Sequence, residues 1–138
     1  MGLLKKGTKM YSIFKMKCPH CHEGDFYISS NPYNFKNAGD VHDTCHVCHR
    51  KLSKEPGFYI GAMYVAYGLG VAVLVSVIVA TYVLFPEAST GVYIGIISVI
   101  LFIAGPYLYA LSKIIWANMF YRYKGVEKTS KELESIIK

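Results

Sequence analysis

The sequence predicts a small membrane protein. It should form an antiparallel two-helix transmembrane hairpin, with a small N-terminal zinc-ribbon-like cytoplasmic domain and a short C-terminal surface helix. Three observations lead to this fold class. Charged residues gather at the two ends of the chain, two long uncharged segments fill its middle, and four cysteines form two Cys-x-x-Cys pairs ahead of the first such segment.

Charge is distributed unevenly along the 138 residues. Residues 1–56 carry nine Lys or Arg and five Asp or Glu, and residues 113–138 carry six basic and three acidic side chains. The 56 residues between them carry one charge, Glu87. The net charge of +6 therefore belongs to the flanks of an apolar block, as on the cytoplasmic face of membrane proteins. We expect no nucleic-acid partner, because no basic stripe interleaves with aromatic residues.

Two uncharged segments, Phe58–Phe85 and Ala88–Ser112, are long enough to cross a bilayer. At ~1.5 Å per residue, each helix would exceed the ~30 Å hydrocarbon core. Neither segment keeps the polar stripe of a soluble helix, and a chain of this length lacks the layers needed to bury them. We predict spans at about residues 58–85 and 91–113 within a hairpin domain of residues 56–116, whose main partner is the lipid bilayer.

The link between the spans is short and contains no Lys or Arg. Because both flanks are basic, the positive-inside rule places both termini in the cytoplasm. Within the spans, Gly105-Pro106 predicts a kink. Small residues four apart favour close packing of each helix on its hairpin partner rather than on a second chain; they are Gly57/Gly61, Ala62/Ala66/Gly70 and Gly91/Gly95.

The two ends of the chain form the remaining domains, residues 1–55 and residues 117–138. In the basic C-terminal tail, Thr129 and Glu132 have the spacing of a capping box. Leu133, Ile136 and Ile137 would line one face of a short amphipathic helix after it. In the N-terminal domain, residues 26–28 could form a strand, and residues 29–43, with Asn31-Pro32 and Ala38-Gly39, read as loop.

The strongest chemical signal is the set of four cysteines, Cys18, Cys21, Cys45 and Cys48. Two residues between thiolates let one tight turn aim both sulfurs at a single ion, and two such turns complete a tetrahedron. The pattern predicts a structural Zn²⁺ site with all four cysteines as ligands. Four thiolates and Zn²⁺ leave a charge of −2, which neighbouring basic residues can offset: Lys15, Lys17, Arg50 and Lys51.

Four other interpretations compete with that site. A histidine could replace one thiolate, the candidates being His20, His22, His46, His49 and His42. Both pairs also continue as Cys-x-x-Cys-His, the attachment pattern of c-type haem, although that attachment takes place outside the cytoplasm. A disulfide framework is disfavoured in a reducing compartment, and thioredoxin-like exchange lacks its βαβ context. In the zinc interpretation, His22 and His49 occupy positions where the backbone often turns left-handed.

With these motifs in place, the chain resembles a bacterial family of uncharacterised membrane proteins, domain of unknown function 983, from about Lys17 to Tyr123. The resemblance rests on Cys18-Pro19-x-Cys21, Glu23-Gly24, Phe26, Cys45-x-x-Cys48 and Glu55-Pro56-Gly57-Phe58-Tyr59. It implies a zinc-ribbon-like head on a two-span hairpin with no established activity. In some bacteria the genes of family members lie beside those of haem–copper oxidase subunits and assembly factors, so the resemblance implies a respiratory accessory role in the bacterial inner membrane. His49 stands where the family usually has glycine.

Catalysis by this chain alone is not expected. The spans contain no acid, base or histidine for a proton or ion relay, and two spans are too few for a transport path, so we expect no small-molecule substrate. The leading hypothesis is a non-enzymatic accessory or assembly subunit that binds other membrane protein subunits, with a terminal oxidase as the candidate complex. The alternatives are a membrane-anchored module that recruits a soluble protein or anionic lipid, and a two-haem electron carrier.

Overall fold

The computed structural model describes residues 5–37, 39–53 and 57–137. The described residues contain four α-helices: α1 (Lys9–Lys15), α2 (Ala62–Leu84), α3 (Thr90–Phe120) and α4 (Val126–Ile137). A 3₁₀ turn, Phe58–Gly61, leads into α2. Helix α1 was not expected from the sequence. Three residues named above, Ala38, Glu55 and Pro56, lie outside the described residues, as does the boundary between the first two predicted domains.

The two long apolar helices predicted from the sequence are present. Phe58–Leu84 and Thr90–Phe120 each have a mean hydropathy of 2.2, and both are long and apolar enough to cross a membrane. They pack side by side. At the link, the hydroxyl of Tyr93 donates to the carbonyl of Phe85 at 3.1 Å, and the Ser89 carbonyl accepts from Val92 N–H at 2.9 Å. These bonds fix the turn between the helices.

Helix α3 is longer than predicted, ending at Phe120 instead of near residue 113. Its last three turns are not exposed like the rest, since Ala110, Ile114 and Ala117 are buried under the N-terminal part of the chain. Burial of this apolar stripe favours continuation of the helix beyond the length that a bilayer requires. The helix also continues through Pro106 without interruption.

Only some of the small residues lie at the contact between the two long helices. A Cβ on Gly61 would overlap the indole ring of Trp116 on α3, so this glycine does allow close approach. A Cβ on Gly70, Gly91 or Gly95 would meet nothing within 4 Å. The prediction that small residues pack on the hairpin partner is therefore wrong for these three, which point away from the neighbouring helix.

The N-terminal part, residues 5–37 and 39–53, is called the head below. Its described residues form isolated β-bridges instead of strands: Lys17 with Asp25, Tyr27 with Val41, and Thr44 with Lys51. The predicted strand at residues 26–28 is thus reduced to one bridge. The head and α3 share one core, whose buried members are Cys18, Cys21, Phe26, Tyr27, Cys45, Cys48, Leu52, Ala110, Ile114, Ala117 and Tyr121.

The predicted C-terminal helix is present as α4, but its start differs. Thr129 is the fourth residue of the helix, and its hydroxyl donates to the Gly125 carbonyl at 2.8 Å. A residue inside the helix cannot act as an N-cap, so the predicted capping box with Glu132 is wrong. Gly125, with φ of 81°, makes the turn that precedes the helix, a conformation that glycine adopts without strain.

Candidate metal centre

The two cysteine pairs sit on two similar turns. In each turn, the N–H of the histidine after the second cysteine donates to the carbonyl of the first: His22 to Cys18 at 2.9 Å and His49 to Cys45 at 2.8 Å. Both histidines have positive φ, 60° and 55°. The left-handed position expected there is confirmed. It also explains why a glycine suits the place of His49, because the left-handed conformation favours glycine.

The four sulfurs converge on one point. All lie within 4.8 Å of one another and all four side chains are buried. The Sγ atoms of Cys18 and Cys48 are 3.9 Å apart, and those of Cys21 and Cys45 are 3.8 Å apart. An ion bound by four sulfurs at ~2.3 Å in a regular tetrahedron requires sulfur–sulfur separations of about 3.8 Å. The donor set therefore fits a tetrahedral metal ion.

The same distances argue against two of the alternatives. A disulfide requires about 2.05 Å between sulfurs, and the four cysteines are free. For two c-type haems, each Cys-x-x-Cys-His motif would have to direct its sulfurs to a separate macrocycle. Here both motifs direct their sulfurs to one buried point, so the two-haem hypothesis is not compatible with this arrangement.

The histidines near the cysteines do not join the cluster, whose four donor atoms in the described chain are all sulfurs. The ring of His20 packs against Tyr121, with 4.5 Å between centroids. His22 stacks on Tyr11 and Tyr123, and its Nδ1 accepts a hydrogen bond from the N–H of Gly7 at 3.2 Å. Burial and the nearby charge of Arg50 lower the pKa of His20 to about 4, so this ring is neutral at pH 7.

Interactions around the sulfurs complete the centre. The N–H of Gly24 donates to the Sγ of Cys21 at 3.5 Å. A Cβ on Gly24 would overlap the Sγ of Cys45, so residue 24 has no room for a side chain. Hydrogen bonds with the other three sulfurs lower the pKa of the Cys21 thiol. The hydrogen bonds of the Cys18 thiol with the same cluster raise its pKa instead. The site thus favours thiolate at some positions, which a metal ion then stabilises at all four.

Two of the four basic residues expected to offset the charge of the centre are engaged by carboxylates. Lys17 pairs with Asp25 beside the first turn. Arg50 pairs with Glu132 of α4 at 3.2 Å, and Lys124 reaches the same carboxylate at 2.8 Å. These pairs connect the second turn to the C-terminal helix. The backbone N–H of Gly24, which faces the Sγ of Cys21, can offset part of the thiolate charge in addition.

The centre is attached to the apolar hairpin through tyrosine hydroxyls. Tyr27, next to the buried Phe26, donates to the carbonyl of Ala110 on α3. Tyr59 and Tyr121 both donate to the carbonyl of Leu52, at 2.7 and 2.9 Å. The carbonyl of His20, between the first two cysteines, accepts from the N–H groups of Lys124 and Gly125. These contacts were not predicted from the sequence.

No protein-family model, no curated protein and no solved structure matches the chain.

Proposed function

We propose that the protein is a zinc-binding accessory or assembly subunit of a larger complex in the bacterial inner membrane, without enzymatic activity of its own. One observation carries this proposal: four buried sulfurs at tetrahedral spacing lie where the head packs on the end of an apolar helix. A donor set of four cysteines leaves no open coordination position, so the ion would hold the head together instead of activating a substrate.

Zn²⁺ is the metal that this donor set favours. Four thiolates in a tetrahedral arrangement suit Zn²⁺, which has no geometric preference of its own and is not redox-active. The same donor set accepts iron, and elemental analysis separates the two metals. The bound ion would supply cross-linking of the two turns, while Gly24 and the buried core around Phe26 position the sulfurs.

The apolar helices and the flanking charges support membrane insertion with both termini in the cytoplasm. Most large side chains of α2 and α3 that precede Ala110 are exposed, including Tyr64, Tyr82, Ile94 and Phe102. Such a surface needs lipid or protein to cover it. Fusions to a reporter that works only in the cytoplasm should be active at residues 1 and 138 and inactive in the link near Glu87. Activity in the link would reverse the orientation.

A subunit role is supported by how the head is held. It is attached to α3 and α4 by hydrogen bonds and a shared core, which is the arrangement of a fixed docking surface. The resemblance to domain of unknown function 983 makes a respiratory terminal oxidase the candidate complex. No residue in α2 or α3 carries a charge before Lys113, so the chain has no intramembrane relay that would point to transport.

Copurification tests this function. The tagged chain should be extracted in mild detergent, run on native gels and identified together with its partners by mass spectrometry. We expect migration far above 15.5 kDa, with stoichiometric membrane subunits, and a lower amount of that complex in a deletion strain. An isolated monomer or dimer, with respiratory complexes at normal levels in the deletion strain, would contradict the subunit role.

A recruitment module is the second candidate, and α4 is the observation that favours it. Ile136 and Ile137 are 71% and 83% exposed at the end of this helix. Beside them, a cavity of about 420 Å³ lies between α4 and the second cysteine turn, lined by Leu133 and His49 among others. Copurification of a soluble protein that is lost on Ile136→Ser with Ile137→Ser would favour recruitment over the subunit role.

A further inference from the structure

Residues 29–37 form a loop between the two cysteine pairs, called here the aromatic loop. The hydroxyl of Tyr33 donates to the backbone carbonyl of Ile103, at 3.0 Å. Ile103 lies on α3 well before Ala110, where the head core begins. The loop therefore extends alongside the apolar part of the helix.

The depth of this contact follows from helix geometry. Taking Thr90 as one membrane boundary, a ~30 Å hydrocarbon core ends after about 20 residues, close to Tyr109. Lys113 supports a boundary there, because its ammonium group binds the Gly39 carbonyl at 2.8 Å and lies over the Tyr109 ring at 4.6 Å. Ile103 is then about 9 Å inside the boundary. A loop that touches Ile103 reaches the same depth.

The exposed side chains of the loop suit that depth. Phe35 is 80% exposed and Tyr33 is 47% exposed, beside an α3 surface on which Phe102 is 82% exposed. Residues 29–37 include no Asp or Glu, and Lys36 is the single charge. A long lysine can bring its ammonium group up to the headgroups. Tyr33 and Phe35 are thus the exposed apolar side chains of the loop, whose other exposed residues are polar, among them Asn31, Asn34, Lys36 and Asn37.

The backbone of the loop partly meets the requirement for contact with lipid, where unpaired polar groups are costly. Several N–H groups in and directly after the loop have backbone acceptors within it: Asn34 donates to Asn31, Asn37 to Asn34, and Asp40 to Asn37. The N–H of Tyr33 donates to the side chain of Asn31 at 3.0 Å. The asparagines therefore act as internal acceptors that allow an irregular segment to approach the membrane.

We propose that the aromatic loop is a third membrane contact, inserted into the leaflet on the head side so that Phe35 lies among the upper acyl chains. The inference rests on the proposed membrane location of the hairpin. Its ligand is the lipid bilayer itself. The loop would fix the tilt of the metal-binding head relative to the membrane, because it holds the head at a point away from its attachment to the end of α3.

Tryptophan quenching by brominated lipids tests this insertion. The full-length, metal-loaded chain with Trp116→Phe, which removes the single native tryptophan, is reconstituted in phosphatidylcholine vesicles. Phe35→Trp is then compared with Phe102→Trp on α3 and with Glu127→Trp, a position 81% exposed on α4. We expect residues 35 and 102 to lose most of their fluorescence with bromine at similar depths in the acyl chains, and residue 127 to be quenched least.

If residue 35 stays as bright as residue 127 while residue 102 is quenched, the loop does not insert, although the hairpin does. If residue 102 is also unquenched, the membrane location itself fails. Should Trp116→Phe not fold, benzoylphenylalanine at position 35 with Trp116 retained gives a second measurement. Photocrosslinks to lipid in native membranes support insertion, and crosslinks to a protein instead of lipid overturn it.

Discussion

Gly24 lies so close to Cys45 that a Cβ on residue 24 would overlap the cysteine sulfur. The two residues belong to different cysteine turns, so this contact sets how closely the turns approach. The Gly24 N–H also faces the sulfur of Cys21. A single backbone position thus contacts one ligand from each pair.

Gly24→Ala should weaken metal binding by about 10- to 100-fold, the range seen when groups that support metal ligands are altered. The added methyl group pushes Cys45 away from its position, and the backbone is moved from Cys21. Competition with a chromogenic zinc chelator measures the change. Gly95→Ala is the matched control, since its Cβ meets nothing within 4 Å. Equal affinities for the two variants would show that the contact does not constrain the centre.

The metal content of the purified protein should be one zinc ion per chain. Four sulfurs at 3.8–3.9 Å across the two pairs provide one full tetrahedral shell. Elemental analysis of protein purified without added metal gives the result. Iron in place of zinc, with thiolate-to-iron absorption in the visible range, would assign the centre to a different metal while leaving its four ligands unchanged.

The features that could be predicted from the sequence are those that depend on residues close together in the chain. The cysteine spacing and the charge-free lengths are local, and they predicted the convergent sulfurs and both long helices. The left-handed conformation of His22 and His49 was also predictable, because the turn after a Cys-x-x-Cys pair imposes it locally. Function as a subunit and the identity of the metal stay predictions.

The remaining features depend on contacts between distant residues. Helix α1 was missed because its seven residues make only about two turns, too few to establish a periodic pattern. It is held by packing on α3, where Asn118 donates to Ser12 at 3.2 Å. The extension of α3 to Phe120 depends on burial of Ala110 and Ile114 by the head. The residues of a helix do not indicate by themselves which of its faces another part of the chain will cover.

Loss of the metal should unfold the head and leave the hairpin helical. Structural zinc contributes ~10–16 kcal/mol to the folding of small metal-binding domains, more than the few apolar residues of this head can replace. Cys45→Ser with Cys48→Ser should expose Arg50 and Lys51 to trypsin, while circular dichroism keeps the signal of α2 and α3. Chelation of the metal from the unaltered protein should give the same pattern. Added zinc should restore trypsin resistance to the chelated protein but not to the double variant. A trypsin-resistant, metal-free head would rule out a structural role for the ion.

Packing of the hairpin should depend on Gly61 and not on Gly70. A Cβ on Gly61 overlaps the Trp116 ring, whose Nε1 also donates to the Phe58 carbonyl at 2.9 Å. Overpacking of this kind costs about 1–3 kcal/mol. Gly61→Ala should therefore lower the free energy of unfolding in mixed micelles, measured by titration with a denaturing detergent. Gly70→Ala places a Cβ in open space and should leave the free energy of unfolding unchanged or raise it slightly, because alanine favours helix more than glycine does. A similar loss for both variants would contradict the packing.

Docking of α4 should depend on pH through Glu132. The hydrogen bond from Lys124, together with the charge of Arg50, lowers the pKa of this carboxyl below its usual value of 4.5. Because the pKa of Glu132 is lower in the docked state, its ionised carboxylate stabilises docking at pH values above the pKa of the undocked state. This stabilisation disappears as the pH falls through the pKa of the docked state. We expect hydrogen exchange in residues 126–137 to quicken, relative to the intrinsic rate, below about pH 4. Glu132→Gln should show the faster exchange already at pH 7. Glu127→Gln, which removes an exposed pair with Lys131, should not. If Glu132→Gln exchanges like the unaltered chain at pH 7, then the two cations do not hold α4 against the second cysteine turn.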